Sequence, residues 1–245
     1  MEIPFYLAMT ASEFAGCSTL PQKAAWMACH FSPYGTGLTN LPTSLPTGSI
    51  LILNDRIPIL HHDQSRITEQ LHMTIDAMNC SALLLDFQQQ DVEKLQDLTI
   101  HLTGSLPCPV ASTQWYARDH AGPVFLPPCP HHVHLEEHIR DWNDREIWLD
   151  LAIDSTILTL TPDGSRESSL PPEQIPDCGF HDDPLHCHYK IETGEDFARF
   201  TLWRTTEDLS TLSQEADRLG IRLTVGLYQE WAEAQKPACL SADRF

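Results

Sequence analysis

The chain has 245 residues, a length that suits one α/β barrel or two small domains. Apolar residues make up 42% of it, far from the composition of a disordered chain, and 34 Asp plus Glu stand against 15 Lys plus Arg for a net charge of −19 with histidine neutral. A field of that sign repels phosphate backbones and anionic headgroups, so it argues against nucleic acid or a membrane surface as partner and leaves neutral or cationic ligands open.

In chain order, Met1 to Tyr6 carries an acidic residue where a secretory signal would be basic, and no apolar run approaches the ~20 residues of a membrane span. With eight scattered cysteines and no C-x-x-C pair, the expectation is a cytoplasmic protein with reduced thiols. Ile3–Ala8 and Trp26–Phe31 read as strands, the second followed by a Pro/Gly/Thr-rich loop from Ser32 to Gly48. Ser49–Leu53 is a strand apolar on both faces, ending at Asn54 and Asp55. Ile67, Leu71, Ile75 and Met78 mark one helix face, and Ala82–Leu85 is the next strand, ending at Asp86, Phe87 and Gln88. Val92, Leu95, Leu98 and Leu102 mark another amphipathic helix. Val110–Trp115 and Val124–Leu126 read as strands, Leu135, Ile139 and Trp142 as a short helix, and Ile147–Leu151 as a strand. Buried strands alternating with helices demand a parallel sheet.

The rhythm breaks after Asp154. Ile157–Thr161 runs into Pro162-Asp163-Gly164, where Pro fixes φ and Gly accepts a positive one, so a turn is expected. His186–Ile191 and Phe197–Trp203 flank Thr193-Gly194 as a second hairpin. Residues 154–199 are too few for a core of their own and are read as a β-rich insertion. Thr205 then caps a helix with an acidic first turn and a buried face of Leu209, Leu212, Ala216 and Leu219; Gly220 stops it, Leu223–Tyr228 is the last strand, and the tail after Ala232 is read as frayed. The fold class is therefore α/β, a (β/α)8 TIM-like barrel occupying residues 1–245 as one domain, with the insertion before the last helix–strand pair.

Two segments carry a resemblance. Ser81-Ala82-Leu83-Leu84-Leu85-Asp86-Phe87-Gln88 falls on the fourth strand, and the stretch from Phe200 to Ala232 runs strand, acidic-capped helix, then Gly226-Leu227 and a Trp-containing end. Both resemble glycoside hydrolase family 18, the chitinase-like and spore peptidoglycan-cleaving barrels, whose fourth strand ends in D-x-x-D-x-D-x-E. Asp86 matches an Asp of that motif, and Gln88 stands where the family places its general-acid Glu. The resemblance implies substrate-assisted hydrolysis of N-acetylated glycans. An amide has no proton to deliver, whereas a positioned acid contributes ~10²–10⁴-fold. The family's Tyr after the sixth strand has no counterpart either, since Val124-Phe125-Leu126-Pro127-Pro128 fills that stretch. The expectation is a catalytically degenerate barrel that binds a carbohydrate or peptidoglycan-type ligand without hydrolysing it.

Barrel sites lie where the strands end, which makes Asp55, Asp86, Gln88, Trp115, Tyr116, Asp150, Glu230 and Trp231 the candidate ligand residues. Aromatic rings beside carboxylates and amides suit a sugar, whose C–H faces stack while its hydroxyls hydrogen-bond. Two other readings stay open: an active hydrolase using an unorthodox carboxylate pair, with Asp86 and Glu230 as candidates and Asp55 as a further partner for Asp86, or an assembly protein whose rim is vestigial and plugged by the Ser32–Gly48 loop. The histidine groups (His61-His62-Asp63; His131-His132 with His134, Glu137 and His138; His186-Cys187-His188) match no metal-ligand signature, and the His131 group follows Pro127, Pro128 and Pro130 as a solvated loop leading into a helix, so no metal and no cofactor is expected. Trp142, Trp148 and Trp203 sit at apolar-periodic positions and are expected in the core. Oligomeric state leaves no mark in the sequence.

Overall fold

The structure, a computed structural model, describes residues 3–33, 36–58 and 63–234. The histidines at 61 and 62, the glycine at 35, the cysteine at 239 and the end of the tail lie outside the described residues. Strands β1 (Phe5–Met9), β2 (Ala24–Phe31), β4 (Ile50–Asn54), β5 (Ala82–Asp86), β6 (Val110–Thr113), β7 (Val124–Leu126), β8 (Ile147–Asp150) and β14 (Leu223–Leu227) are all parallel and close into an eight-stranded barrel through the β1–β2 pair. A two-residue strand, β3 (Leu38–Thr39), adds outside β2. The barrel strands are followed or joined by α1 (Ala11–Gly16), α2 (Gln64–Met78), α3 (Glu93–Ser105), α4 (Gln114–Ala117), α5 (Leu135–Ile139), α6 (Thr206–Arg218) and α7 (Tyr228–Ala234). This is the TIM-like (β/α)8 architecture, and β5 is its fourth strand.

Period-2 alternation splits each strand between two cores. Tyr6, Ala8, Ala25, Ile50, Ile52, Ala82, Leu84, Ala111, Phe125, Trp148, Leu223 and Val225 fill the barrel interior. Their neighbours Leu51, Leu53, Leu83 and Leu85 face outward onto Ile67, Leu71 and Ile75 of α2 and Leu95, Leu98 and Leu102 of α3. That is why Ile50–Leu53 and Ala82–Leu85 carry no polar residue. The chain starts α2 with Asp63, whose side chain accepts from the Arg66 N–H at 3.1 Å, and stops it with Asn79 at φ 50°. Thr205 and Asp208 form a reciprocal capping box on α6, and Gly220 follows with φ 82°.

Between β8 and α6 lies an antiparallel sheet of β9 (Ser155–Thr161), β10 (Gly164–Ser169), β11 (Phe180–Asp182), β12 (Cys187–Thr193) and β13 (Ala198–Trp203), ordered β10-β9-β13-β12-β11. The β-rich segment thus runs to Trp203, four residues past the expected 199. Arg204, 3% exposed, ties it to the barrel by donating to the carbonyls of Cys129 (2.5 Å) and His186 (3.2 Å).

Three local expectations change. The strand expected at Val110–Trp115 stops at Thr113, because Gln114–Ala117 turns into α4. The last strand ends at Leu227, and Tyr228 already begins α7. His131, expected in a solvated loop, is buried (1% exposed), with Nε2 3.2 Å from the Asp154 carbonyl, and burial pushes its pKa down to about 4. Trp142, Trp148 and Trp203 are buried as expected. The described cysteines are unpaired, and no described helix is long and apolar enough to cross a membrane.

Candidate functional site

At the ends of the barrel strands the interior opens into a cavity of about 340 Å³, within the range of small-molecule sites. Its floor is the top of the interior core: Ala8, Met27, Ile52, Leu84, Phe125 and Val225. Two steps further along the inward-facing positions, the apolar residues give way to carboxylates. Leu84 is followed by Asp86 on β5, and Trp148 by Asp150 on β8, both at the mouth. Thr113, Gln114 and Trp115 enter from the β6–α4 corner, with the Trp115 ring 45% exposed, and Pro127 and Pro128 follow β7.

Gln88 lines the same mouth, and its amide donates to Asp86 Oδ1 at 2.5 Å. The loop that carries it is held on three sides. Asp55, at the end of the third barrel strand, accepts the Gln88 N–H on one carboxylate oxygen (3.0 Å) and the Gln89 N–H on the other (2.8 Å). Thr113 donates its hydroxyl to the Phe87 carbonyl at 2.9 Å, and the Tyr116 hydroxyl donates to the Gln89 carbonyl. The Phe87 ring is fully buried between Phe31 (5.8 Å) and Tyr116 (5.9 Å). A loop held by so many independent contacts is preorganised, and the exposed Gln88 side chain makes its own contact to Asp86 from that fixed backbone.

The electrostatics follow from burial. Desolvation raises the Asp86 pKa; the Gln88 amide opposes that rise and the Asp55 charge adds to it. Asp150 is pushed up to about 7, first by burial and then by the charges of Asp86, Glu230 and Asp154. Near neutral pH Asp150 is therefore partly protonated, and it can donate as well as accept. No Lys, Arg, His, Glu or Tyr lines the cavity among the described residues, so nothing in it balances an anionic ligand.

Of the residues singled out from sequence, the cavity brings together Asp86, Gln88, Trp115 and Asp150. Asp55 and Tyr116 stand behind them as supports for the Gln88 loop, and Asp55 lines an adjoining groove with Asn40, Asn54 and Gln89 that shares Met27, Asp86 and Gln88 with the mouth. Glu230 accepts the Ile153 N–H at 2.9 Å, and burial raises its pKa. Trp231 packs on Phe5 (4.5 Å) and donates to the Leu151 carbonyl (3.3 Å); it borders a separate depression outside the mouth, with Phe5 and Lys23. Thr113, Gln114 and Met27 were not anticipated. The i+2 spacing from Ala111 to Thr113 and from Ala25 to Met27 was the available signal for two of them. No described residue of the 32–48 loop lines the mouth, although Asn40 reaches the adjoining groove.

No protein-family model matches the sequence, and no curated protein matches it. Solved structures do. The chain is similar to the spore cortex-lytic enzyme SleL of Bacillus cereus, at 10% identity and TM-score 0.57, over 96% of this chain and 74% of the other. It is similar to the chitinase-like agglutinin RobpsCRA of Robinia pseudoacacia, at 10% identity and TM-score 0.60, over 94% and 97% of the two chains. It is also similar to a family 18 chitinase of Cycas revoluta, at 8% identity and TM-score 0.58, over 91% and 94%; that protein was solved with (GlcNAc)4 as a double variant in which one glutamate is replaced by glutamine. These likenesses define the class of fold, the (β/α)8 barrel shared with glycoside hydrolase family 18, as the resemblance implied.

Proposed function

We propose that the barrel mouth binds a neutral, N-acetylated or peptidoglycan-type carbohydrate and does not hydrolyse it. The observation that carries this reading is Gln88, an amide hydrogen-bonded to Asp86 in the mouth beyond the fourth strand. The amide can orient Asp86 and hydrogen-bond a sugar, but it holds no transferable proton. Three further features support the reading. Trp115 offers an exposed ring for a sugar face. No cation among the described residues lines the mouth, which suits an uncharged ligand. Among the structural neighbours are a chitinase-like agglutinin and a glutamate-to-glutamine chitinase variant solved with (GlcNAc)4.

A second reading has its own observation. Asp150, with its pKa near 7, is a carboxylic acid able to give up a proton at neutral pH beside a second carboxylate, Asp86. In that reading Asp150 is the acid and Asp86 the base or stabiliser of an unorthodox hydrolase.

Calorimetric titration with N-acetylglucosamine oligomers, with the products followed by mass spectrometry, separates the two. Binding that weakens in Asp86→Ala, with the oligomer recovered intact, supports the first reading. Cleavage that disappears in Asp150→Asn supports the second, and no binding to any oligomer or peptidoglycan fragment overturns both.

A further inference from the structure

A second constellation lies away from the mouth, where the insertion sheet meets the first turn of α6. His181 on β11 and His188 on β12 are directly opposed in the antiparallel ladder, so their side chains leave the same face, with ring centroids 4.7 Å apart. Both rings aim one nitrogen at a single carboxylate. His181 Nε2 lies 2.8 Å from Asp208 Oδ1, and His188 Nε2 lies 3.4 Å from Asp208 Oδ2. The three ligand atoms fall within 4.8 Å of one another.

We propose that His181, His188 and Asp208 form a three-ligand site for a divalent transition-metal ion of the zinc class, clasping the insertion sheet to α6. Tetrahedral ligands ~2.0–2.1 Å from zinc stand about 3.3 Å apart, so the present spacings need small side-chain rotations and no backbone movement. Each ligand is already oriented. The other ring nitrogen of His181, Nδ1, lies 2.8 Å from Asp183 Oδ1, the carboxylate–histidine arrangement that fixes tautomer and ring plane behind a metal. The His188 ring stacks on Trp203, its cross-strand neighbour, at 5.5 Å and 17°. Asp208 is held by the Thr205 backbone N–H and hydroxyl, each 2.7 Å from Oδ2, the oxygen that His188 approaches, while Oδ1 faces His181.

The ligand set chooses the ion. Two imidazoles and one carboxylate suit zinc and its first-row neighbours, whereas calcium and magnesium take oxygen ligands alone. Cys187, beside His188 in sequence, is buried on the opposite face of β12, so no thiolate takes part. A depression of about 460 Å³ opens over the three residues and gives the ion an entry path and a coordination position for water. No Lys or Arg among the described residues lines it. His186, which the sequence pairs with His188, also lines the depression, but its Nε2 lies 2.8 Å from Glu215 and it falls outside the three-residue cluster. This placement is why the spacing in sequence showed no signature: one imidazole comes from the neighbouring strand and the carboxylate from the next helix.

The test is titration of the chelator-treated full chain with Zn²⁺, and with Co²⁺ as a spectroscopic probe. The expected result is one ion per chain, undiminished by excess Mg²⁺, with tetrahedral cobalt absorption that lacks a thiolate charge-transfer band. His181→Gln combined with His188→Gln abolishes it while leaving the circular dichroism of the metal-free chain unchanged, and His186→Gln retains it. Asp183→Asn weakens zinc affinity about 10–100-fold without removing a ligand. Zinc bound equally well by the double variant, a thiolate band in the cobalt spectrum, or no zinc binding in excess Mg²⁺ overturns the assignment.

Discussion

Replacing Asp150 with Asn removes an ionisation that the folded barrel resists. In the unfolded chain this carboxyl titrates near its ordinary 3.8, and in the fold it titrates at about 7. The sign follows from linkage. Below pH 4 both states hold the proton and the residue has no effect. As pH rises from 4 to 7 the unfolded chain releases it first, so the native state loses stability, and above 7 the loss levels off. Each pKa unit corresponds to ~1.4 kcal/mol, so the full shift sets an upper bound of about 4 kcal/mol, and solvent entering the open mouth reduces this to roughly 2–4 kcal/mol. Asn has nearly the same shape and no charge to bury. Asp150→Asn is therefore expected to match the native chain near pH 4 and to exceed its stability at pH 8 by that amount, a rise in Tm of roughly 4–16 °C. Urea denaturation of both proteins at the two pH values measures the difference directly. A stability gap that is the same at pH 4 and pH 8, or a variant less stable at pH 8, refutes the account of a desolvated carboxyl in the mouth.

Three further outcomes follow from the same geometry. Gln88→Glu places an acid just past the fourth strand but is expected to release no product from N-acetylglucosamine oligomers, since no Tyr among the described residues lines the mouth; rapid hydrolysis by this single variant would falsify the expectation. Asp55→Ala leaves the Gln88 and Gln89 N–H groups without their acceptor and is expected to cost about 2–3 kcal/mol in urea denaturation, together with a loss of ligand binding; an unchanged midpoint contradicts the bracing role. Trp115→Ala is expected to weaken oligosaccharide binding roughly 2- to 10-fold in calorimetry, from the ~0.5–1.5 kcal/mol of an aromatic contact, with a stability change under about 0.5 kcal/mol because the ring is 45% exposed.

The barrel was legible because its staves are written in an unambiguous pattern. Ile50–Leu53 and Ala82–Leu85 are apolar on both faces, as strands of a covered parallel sheet are, and the helices after them repeat at 3.6 residues. The polar residues that end these strands could be named, but alternation gives the direction of only two of them. Asp86 and Asp150 occupy inward positions continuing Leu84 and Trp148, so alternation alone places them in the mouth. Trp231 escaped that logic because the chain leaves β14 at Leu227 and turns into α7, which carries the indole to Phe5 on the outside. Trp115 sits on a helical turn where a strand was expected, and the α4 corner still brings it to the mouth. Tyr116 packs edge-on against Phe87 and braces the Gln88 loop, a role that needs three segments in contact and leaves no trace in local spacing. The His181–His188 opposition was hidden for the same reason: β11 is three residues long, set among Asp and Gly, and carries no alternating pattern.

The most direct test is a crystal structure of the native chain soaked with an N-acetylglucosamine tetramer at neutral pH. The account predicts an unbroken oligomer in the mouth, one ring against Trp115 and hydrogen bonds from the sugar to Gln88 and Asp86. A cleaved sugar, or an oligomer seated away from these side chains, contradicts it.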